Sequence, residues 1–115
     1  MAMQRGEVWI MVGPDYLGKP RPVVILQSDA FAELDSVTVC LVTSEPPPAP
    51  MPLLRVALPA SAETGLRVDS WAMIDKITTT SRDKMGYRIG RVSRADLVRI
   101  VALAVSFLGG DISHR

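Results

Sequence analysis

Short apolar runs, separated by glycine, proline and polar residues, recur along most of the chain. Several of them are rich in β-branched residues, which favour strands, and turn-forming residues bound them. The run that starts at residue 21 is apolar on both faces, which indicates a central position in a sheet. The pattern predicts strands at residues 7–12, 21–27, 36–44, 53–59, 71–77 and 87–92.

The connections between these runs differ in character. The segment 45–52, "EPPPAPMP", predicts an extended surface loop, because proline is excluded from helix interiors and central strands. Residues 60–70 predict a turn with Gly65 at its tip. The polar segment 78–85, "TTTSRDKM", is predicted to be a connection without regular structure.

One clear helix is predicted at residues 93–110, and a short helical turn at 28–34. Ser93 and Asp96 resemble a capping box at the start of the helix, and Gly109 can end it. Its apolar stripe consists of Leu97, Ile100, Val101, Ala104 and Leu108. Strands followed by a terminal helix predict a single domain, residues 1–115, in which a helix lies against a small, bent antiparallel sheet or barrel.

Charge and cysteine content narrow the class of protein. Lys and Arg number 13 and Asp and Glu 12, so the net charge is close to zero and does not attract a polyanion to the protein as a whole. Any polyanion must therefore bind to a local patch of positive charge. Cys40 is the single cysteine, which excludes an internal disulfide and favours a buried thiol in a reducing cytosol. We find no apolar stretch typical of a signal peptide or a membrane span, and therefore expect a cytoplasmic protein that does not bind membranes.

Several kinds of chemistry lack the residues that they require. The single histidine, His114, is next to the last residue, so a Ser-His-Asp or Cys-His mechanism is not expected. The same scarcity of ligands argues against a zinc site, and no glycine-rich phosphate-binding motif is present. We expect no metal and no cofactor, which leaves arginine, hydroxyl and carboxylate chemistry.

The most informative cation is Arg21, in "GKPRPVVIL". Pro22 restricts Arg21 to an extended backbone conformation, and Pro20 restricts Lys19 in the same way. A stiff backbone lowers the entropic cost of ordering a side chain around an anion, and the planar guanidinium suits a phosphate. From these residues alone, an ordinary cation at a strand edge is an equally good interpretation.

Two further residues, Thr43 and Asp75, are candidates for a functional site with Arg21. If the second and third strands pair antiparallel, the start of one lies beside the end of the other, and Arg21 neighbours Thr43. The Thr43 hydroxyl could contact a substrate or only cap the strand end. Asp75, bracketed by apolar residues on the fifth strand, could assist proton transfer or be a surface carboxylate.

These three groups suit the cleavage of RNA. RNA carries its own nucleophile, the 2′-hydroxyl, so an enzyme needs only to orient it, stabilise the charge on the phosphate and assist proton transfer. Such a reaction leaves 2′,3′-cyclic phosphate and 5′-hydroxyl ends.

Four stretches, "RGEVW", "KPRPVVIL", "VTS" and "GLRVDSWAMIDKITTTSRDKMG", together resemble the MazF/PemK-type toxins of bacterial toxin–antitoxin systems. The resemblance covers nearly the whole chain in the right order. It implies an SH3-like, plasmid-maintenance-toxin barrel of five to six strands plus a C-terminal helix. It also implies a homodimer that cuts single-stranded RNA at specific sequences without metal, and neutralisation by a cognate antitoxin.

The resemblance assigns roles to single residues. It implies that Arg21 is the catalytic arginine and that Thr43 is a hydroxyl that acts in catalysis or contacts the 2′-oxygen. It also implies that Asp75 occupies an acidic position used in catalysis or substrate contact. Substrate contacts are also expected from Lys19, Ser44 and Gln27.

Two alternatives remain at this stage. Toxins of the same fold that poison DNA gyrase dock an aromatic C-terminal tail, whereas this chain ends in "GGDISHR" without an aromatic residue. A barrel that binds RNA without cutting it would need stacking aromatics, and aromatic residues make up only 5% of the chain.

Overall fold

The computed structural model describes residues 3–12, 19–47 and 54–110 of the chain. His114 and most of the proline-rich segment 45–52 therefore lie outside the described residues. The elements are β1 (Glu7–Met11), β2 (Arg21–Ile25), β3 (Ser36–Thr43), β4 (Arg55–Leu58), β5 (Ser70–Ser81), β6 (Met85–Arg91) and α1 (Arg94–Phe107). This order confirms the predicted class, a mainly β fold with a C-terminal helix.

The six strands form one antiparallel sheet in the order β4-β5-β3-β2-β1-β6. The position of β2 between β1 and β3 confirms the central place predicted from its apolar faces. Register shifts between β1 and β6 are of the kind that bends a sheet. Within the described ranges the outer edges of β4 and β6 have no strand partner, so the sheet does not close into a hydrogen-bonded barrel.

Successive residues of a strand point to opposite sides of the sheet, and here both sides carry a cluster of apolar side chains. Val24 belongs to the cluster beneath α1, where Ile100 is fully buried. Full burial of one such side chain contributes about 2 kcal/mol. Val23 and Leu41 belong to the cluster on the opposite face. Arg21 is two residues from Val23 along β2, so it projects from this second face.

Both ends of α1 are closed by hydrogen bonds. The Ser93 hydroxyl accepts a bond of 3.1 Å from the Asp96 backbone N–H, as the capping pattern predicted. At the other end, Gly109 has a φ of 86°, and the Gly110 N–H donates to the Val105 carbonyl. Leu108 is 78% exposed, so its predicted place in the buried stripe is wrong. No helix in the described part of the chain is long and apolar enough to span a membrane.

Strand β5 is longer than its apolar pattern predicted. It continues through residues 78–81, which the sequence analysis assigned to a polar connection, and pairs there with the start of β3. Threonine is β-branched and favours strands, so a polar run of threonines can extend a strand where a partner is available. The Thr38 and Thr79 hydroxyls are joined by a 2.6 Å hydrogen bond across this pairing.

Candidate active site

A cleft of about 530 Å³ opens where β2 begins and β3 ends. Arg21 and its flanking prolines form one side of it, together with Thr43 and Ser44. The segment 65–68 and residues Tyr87 and Ile89 of β6 also line it. Arg21 and Arg67 are the charged side chains of its described lining, which contains no carboxylate. The electrostatic character of the cleft therefore favours an anion.

Arg21 and Thr43 are brought together by the register of β2 and β3. Val23 pairs with Leu41, and continuation of that register by two residues sets Arg21 opposite Thr43. The two residues also share a second, smaller hollow of about 160 Å³, which Met73 helps to line. The predicted antiparallel pairing and its juxtaposition of Arg21 with Thr43 are thus present in the fold.

The Arg21 guanidinium has no acceptor within residues 3–12, 19–47 and 54–110. Its Nε is buried and has no hydrogen-bond partner among the described residues. Nearly all buried polar groups in proteins are hydrogen-bonded, and an unmade bond at a charged group costs more than one at a neutral group. A buried Nε without an acceptor in the described ranges, on a residue that lines both hollows, is therefore suited to a ligand that brings its own acceptor oxygens.

The Thr43 hydroxyl oxygen accepts a hydrogen bond of 3.1 Å from the Glu45 backbone N–H. The hydroxyl thus caps the end of β3, as one of its two interpretations expected. Because the oxygen is engaged as an acceptor, the O–H remains available to donate into the cleft. The same residue can cap the strand and present a donor beside Arg21.

Asp75 does not line the cleft. Its Oδ1 accepts a 2.6 Å bond from Nη1 of Arg55, which also donates to the Leu54 carbonyl at 2.9 Å. The side chains of Arg55 and Asp75 are 14% and 28% exposed, so the pair is largely shielded from water. Asp75 follows Met73 by two residues on β5 and therefore lies beyond the smaller hollow. Its catalytic role stays a prediction.

The three predicted substrate contacts lie in different surroundings. Ser44 lines the cleft, and Lys19 is exposed beside Pro20, which also lines it. Both polar atoms of the Gln27 amide are hydrogen-bonded to the backbone. The amide nitrogen donates to the Phe31 carbonyl, and the amide oxygen accepts from the Thr38 N–H. Gln27 does not line the cleft. A substrate contact by Gln27 stays a prediction that this geometry does not support.

Two cleft residues escaped the sequence analysis. Arg67 lies in the segment that the pattern predicts as a turn, and Tyr87 lies in the predicted sixth strand, where nothing in the pattern separates it from the aromatic residues expected in the core. Tyr87 is 59% exposed. Its position directly after Gly86, two residues beyond the polar segment 78–85, was the available signal of a strand surface open to solvent.

A buried carboxylate fixes β6 behind the cleft. Glu7 accepts hydrogen bonds from the Gln4 backbone N–H at 3.0 Å and from Nε1 of Trp9 at 2.9 Å. Its other oxygen lies 3.3 Å from Nε of Arg88. Because Arg88 adjoins Tyr87 on β6, this network holds the strand that carries the tyrosine.

Cys40 lacks the properties of a nucleophile. Burial raises the pKa of its thiol to about 12, and the thiol donates to the Met73 carbonyl at 3.2 Å. Reactive cysteines have lowered pKa values and partial exposure, so Cys40 is a core residue. In the described ranges, no group of three carboxylate, histidine or cysteine side chains is placed to hold a metal ion.

Comparisons with known proteins agree with this geometry. Residues 4–107 match the family of PemK-like, MazF-like toxins of type II toxin–antitoxin systems. The chain is 41% identical over 108 residues to the probable endoribonuclease MazF of Mycolicibacterium smegmatis, which covers 93% of this chain and 97% of that protein.

Solved structures of lower identity share the fold. The toxin MazF-mt6 of Mycobacterium tuberculosis superposes with a TM-score of 0.76 at 22% identity, over 91% of this chain and 98% of that one. MazF in a MazE–MazF crystal structure from Deinococcus radiodurans gives 0.78 at 19% identity, over 96% and 99%. Since the family match extends over nearly the whole chain, this protein belongs to the PemK-like, MazF-like toxins of type II toxin–antitoxin systems.

Proposed function

We propose that this toxin is an endoribonuclease that cuts single-stranded RNA at specific sequences, without metal, at the end of the cleft formed by Arg21 and Thr43. The observation that supports this most strongly is the buried Nε of Arg21, which has no acceptor among the described residues and belongs to a cleft whose described lining contains no carboxylate. A phosphodiester supplies the missing acceptor oxygens and the negative charge that the cleft favours.

The proposed reaction is an internal transesterification. The 2′-oxygen attacks the adjacent phosphorus and loses its proton, the new P–O2′ bond forms, and the P–O5′ bond breaks as the leaving oxygen takes up a proton. The products are a 2′,3′-cyclic phosphate and a 5′-hydroxyl end. Arg21 stabilises the negative charge that accumulates on the non-bridging phosphate oxygens.

Thr43 acts as a hydrogen-bond donor in this proposal. Its oxygen already accepts from Glu45, so the hydroxyl proton is directed to an oxygen of the RNA. Two donors on neighbouring strands fix the phosphate from two directions, which favours the in-line geometry of attack. We assign Asp75 a structural role in its ion pair with Arg55, because its carboxylate is occupied by that guanidinium.

The proposal includes two protein partners. A solved mycobacterial endoribonuclease is in complex with its cognate antitoxin, and the Deinococcus radiodurans toxin was solved with MazE. These relatives support the proposal that this chain also binds a cognate antitoxin. The second proposed partner is another copy of this chain, in the homodimer that the family resemblance implies.

Digestion of a defined RNA in the presence of EDTA, with mass spectrometry of the products, tests the activity. The proposal predicts discrete fragments with 2′,3′-cyclic phosphate and 5′-hydroxyl ends. RNA with a 2′-deoxy sugar at the cut nucleotide should remain intact, because the nucleophile is missing. Fragments with 5′-phosphate ends, or cleavage that EDTA abolishes, would contradict the proposed chemistry.

A further inference from the structure

The segment 65–68 and Tyr87 form a wall of the cleft, and the side chains on it differ from those around Arg21. It joins an exposed aromatic ring, Tyr87, to an exposed apolar side chain, Val68, and an exposed guanidinium, Arg67. Tyr87 and Val68 are 59% and 56% exposed, although each is of a kind that is normally at least partly covered. Neither Arg21 nor Thr43 needs this wall for chemistry at the phosphate.

This wall is fixed to β6 by close backbone packing. A Cβ added to Gly65, whose φ is +75°, would lie 2.0 Å from the Ile89 carbonyl oxygen. A Cβ on Gly90 would lie 2.3 Å from the Glu63 carbonyl oxygen, which accepts a 2.8 Å bond from the Arg91 N–H. Two glycines thus allow the turn and the strand to touch, and the wall is formed in advance of any ligand.

Core packing holds the turn from the other side. Leu66 is buried in the cluster beneath α1, and its N–H donates to the Thr64 hydroxyl at 3.2 Å. With Leu66 directed inward, Arg67 and Val68 are left on the surface of the cleft.

The guanidinium of Arg67 is not neutralised within the described residues, where no ion pair or hydrogen bond of its side chain occurs. The carboxylate nearest in sequence, Asp69, accepts from the Ala60 backbone N–H at 2.9 Å instead. Arg67 is therefore available to a ligand that lies on Tyr87.

We propose that Tyr87, Val68 and Arg67 form a nucleobase subsite, which holds a base next to the cut phosphate and favours guanine. The base stacks on the Tyr87 ring and against Val68, and stacking of this kind does not depend on sequence. Arg67 adds the preference, because its two-pronged donor geometry matches the O6 and N7 acceptors of guanine. This inference rests on the proposed function, since it assumes that RNA occupies the cleft.

Sequencing of the ends produced from a random-sequence RNA pool tests the preference. The wild type should show an enrichment of guanine at one position near the cut. Arg67→Ala should still cut but lose that enrichment. An unchanged base profile for Arg67→Ala would overturn the assignment of Arg67.

Stacking is tested separately, by fluorescence anisotropy with 2′-O-methyl decanucleotides that cannot be cut. Tyr87→Ala should weaken binding by about tenfold, a value within the range for loss of one aromatic stack. Tyr87→Phe should restore it, because the ring and not the hydroxyl is required. Phe31→Ala is the matched control, since Phe31 is also 59% exposed but does not line the cleft.

The two proposals fail in different ways. A wild-type protein that cuts no RNA defeats the proposed function, and the binding measurement then still decides whether the subsite exists. If Tyr87→Ala binds the decanucleotide as tightly as Phe31→Ala does, the subsite is wrong even where cleavage is observed.

Discussion

Arg21 and Arg55 lie on the same face of the sheet, but only Arg55 has a carboxylate partner among the described residues. Arg55 pairs in register with Met73, the residue that lines the smaller hollow with Arg21. The Arg55 guanidinium is satisfied by Asp75 at 2.6 Å and by the Leu54 carbonyl. Arg21 has a buried Nε and no acceptor in the described part of the chain.

The difference separates a structural arginine from a candidate catalytic one. A partly buried ion pair braces β4 against β5, and its guanidinium has little capacity left for a ligand. A buried guanidinium nitrogen without an acceptor destabilises the folded protein unless a ligand completes it. Arginine therefore has two roles in this fold, one structural and one in ligand binding. Whether the guanidinium already has a carboxylate partner decides which role each arginine has.

The largest effect is expected at the unpartnered arginine. Arg21→Ala should reduce the rate of RNA cleavage by about a hundredfold to a thousandfold, because it removes the charge that stabilises the transition state. Initial rates with labelled RNA measure this, and circular dichroism verifies the fold. Arg94→Ala, which removes a charge from the start of α1 outside the cleft, is the control. A folded Arg21→Ala protein that cuts at the wild-type rate would falsify the assignment.

The second largest effect on the cleavage rate is expected at Thr43, the neighbour of Arg21. Thr43→Ala removes a hydrogen-bond donor to a charged group, which is worth about 1.5–3 kcal/mol, and should slow cleavage at least about tenfold. Thr43→Ser keeps the hydroxyl and should retain most of the rate. If Thr43→Ala matches Thr43→Ser in rate, the hydroxyl only caps β3.

The paired arginine should affect stability more than activity. Arg55→Ala leaves the largely shielded Asp75 carboxylate without its partner, so the free energy of unfolding should fall by about 2 kcal/mol. Urea denaturation measures this change. Cleavage per folded molecule should change by less than about tenfold, because neither member of the pair lines the cleft.

Asp75→Asn provides the counterpart to that experiment. It should destabilise the protein in the same direction as Arg55→Ala and leave most of the cleavage rate. A loss of about a hundredfold in folded Asp75→Asn protein, with Arg55→Ala still active, would instead place Asp75 among the catalytic residues.

The last prediction concerns the Cys40 thiol, whose titration the Arg55–Asp75 pair influences only slightly and which has no part in cleavage. Burial raises the thiol pKa from its ordinary value of 9.0 to about 12, so the folded state favours the protonated thiol. This contribution to stability is fully present below pH 9.0 and is lost as the pH rises toward 12. Alkylation by iodoacetamide at about pH 8 should be at least a hundredfold slower in the native protein than in guanidinium chloride. Comparable rates in the two states would show that the thiol is not buried.

Local patterns predicted the part of the site that depends on two adjacent strands. Alternating apolar residues set the faces of β2 and β3, and a short connection made them antiparallel neighbours. The position of Arg21 beside Thr43 followed from those two facts. Ser93 and Gly109 predicted the ends of α1 because caps depend only on nearby residues.

The wall of the cleft that contains Arg67 and Tyr87 could not be predicted from local patterns. Tyr87 and Arg67 line the same cleft only because a glycine turn packs onto a strand more than twenty residues further along, a contact that no local pattern encodes. The partner of Asp75 is Arg55, twenty residues away on another strand, and local sequence does not reveal it. The extra length of β5 likewise depends on β3 as its partner rather than on hydrophobicity.

The most direct test of the central claim follows the arginine Nε–H signals by nuclear magnetic resonance while a 2′-O-methyl RNA that cannot be cut is added. Arg21→Lys and Arg55→Lys variants assign the two signals. The account predicts that the Arg21 signal moves downfield as its Nε–H gains a phosphate acceptor, while the Arg55 signal stays in place. A shift of Arg55 with an unchanged Arg21 would contradict it.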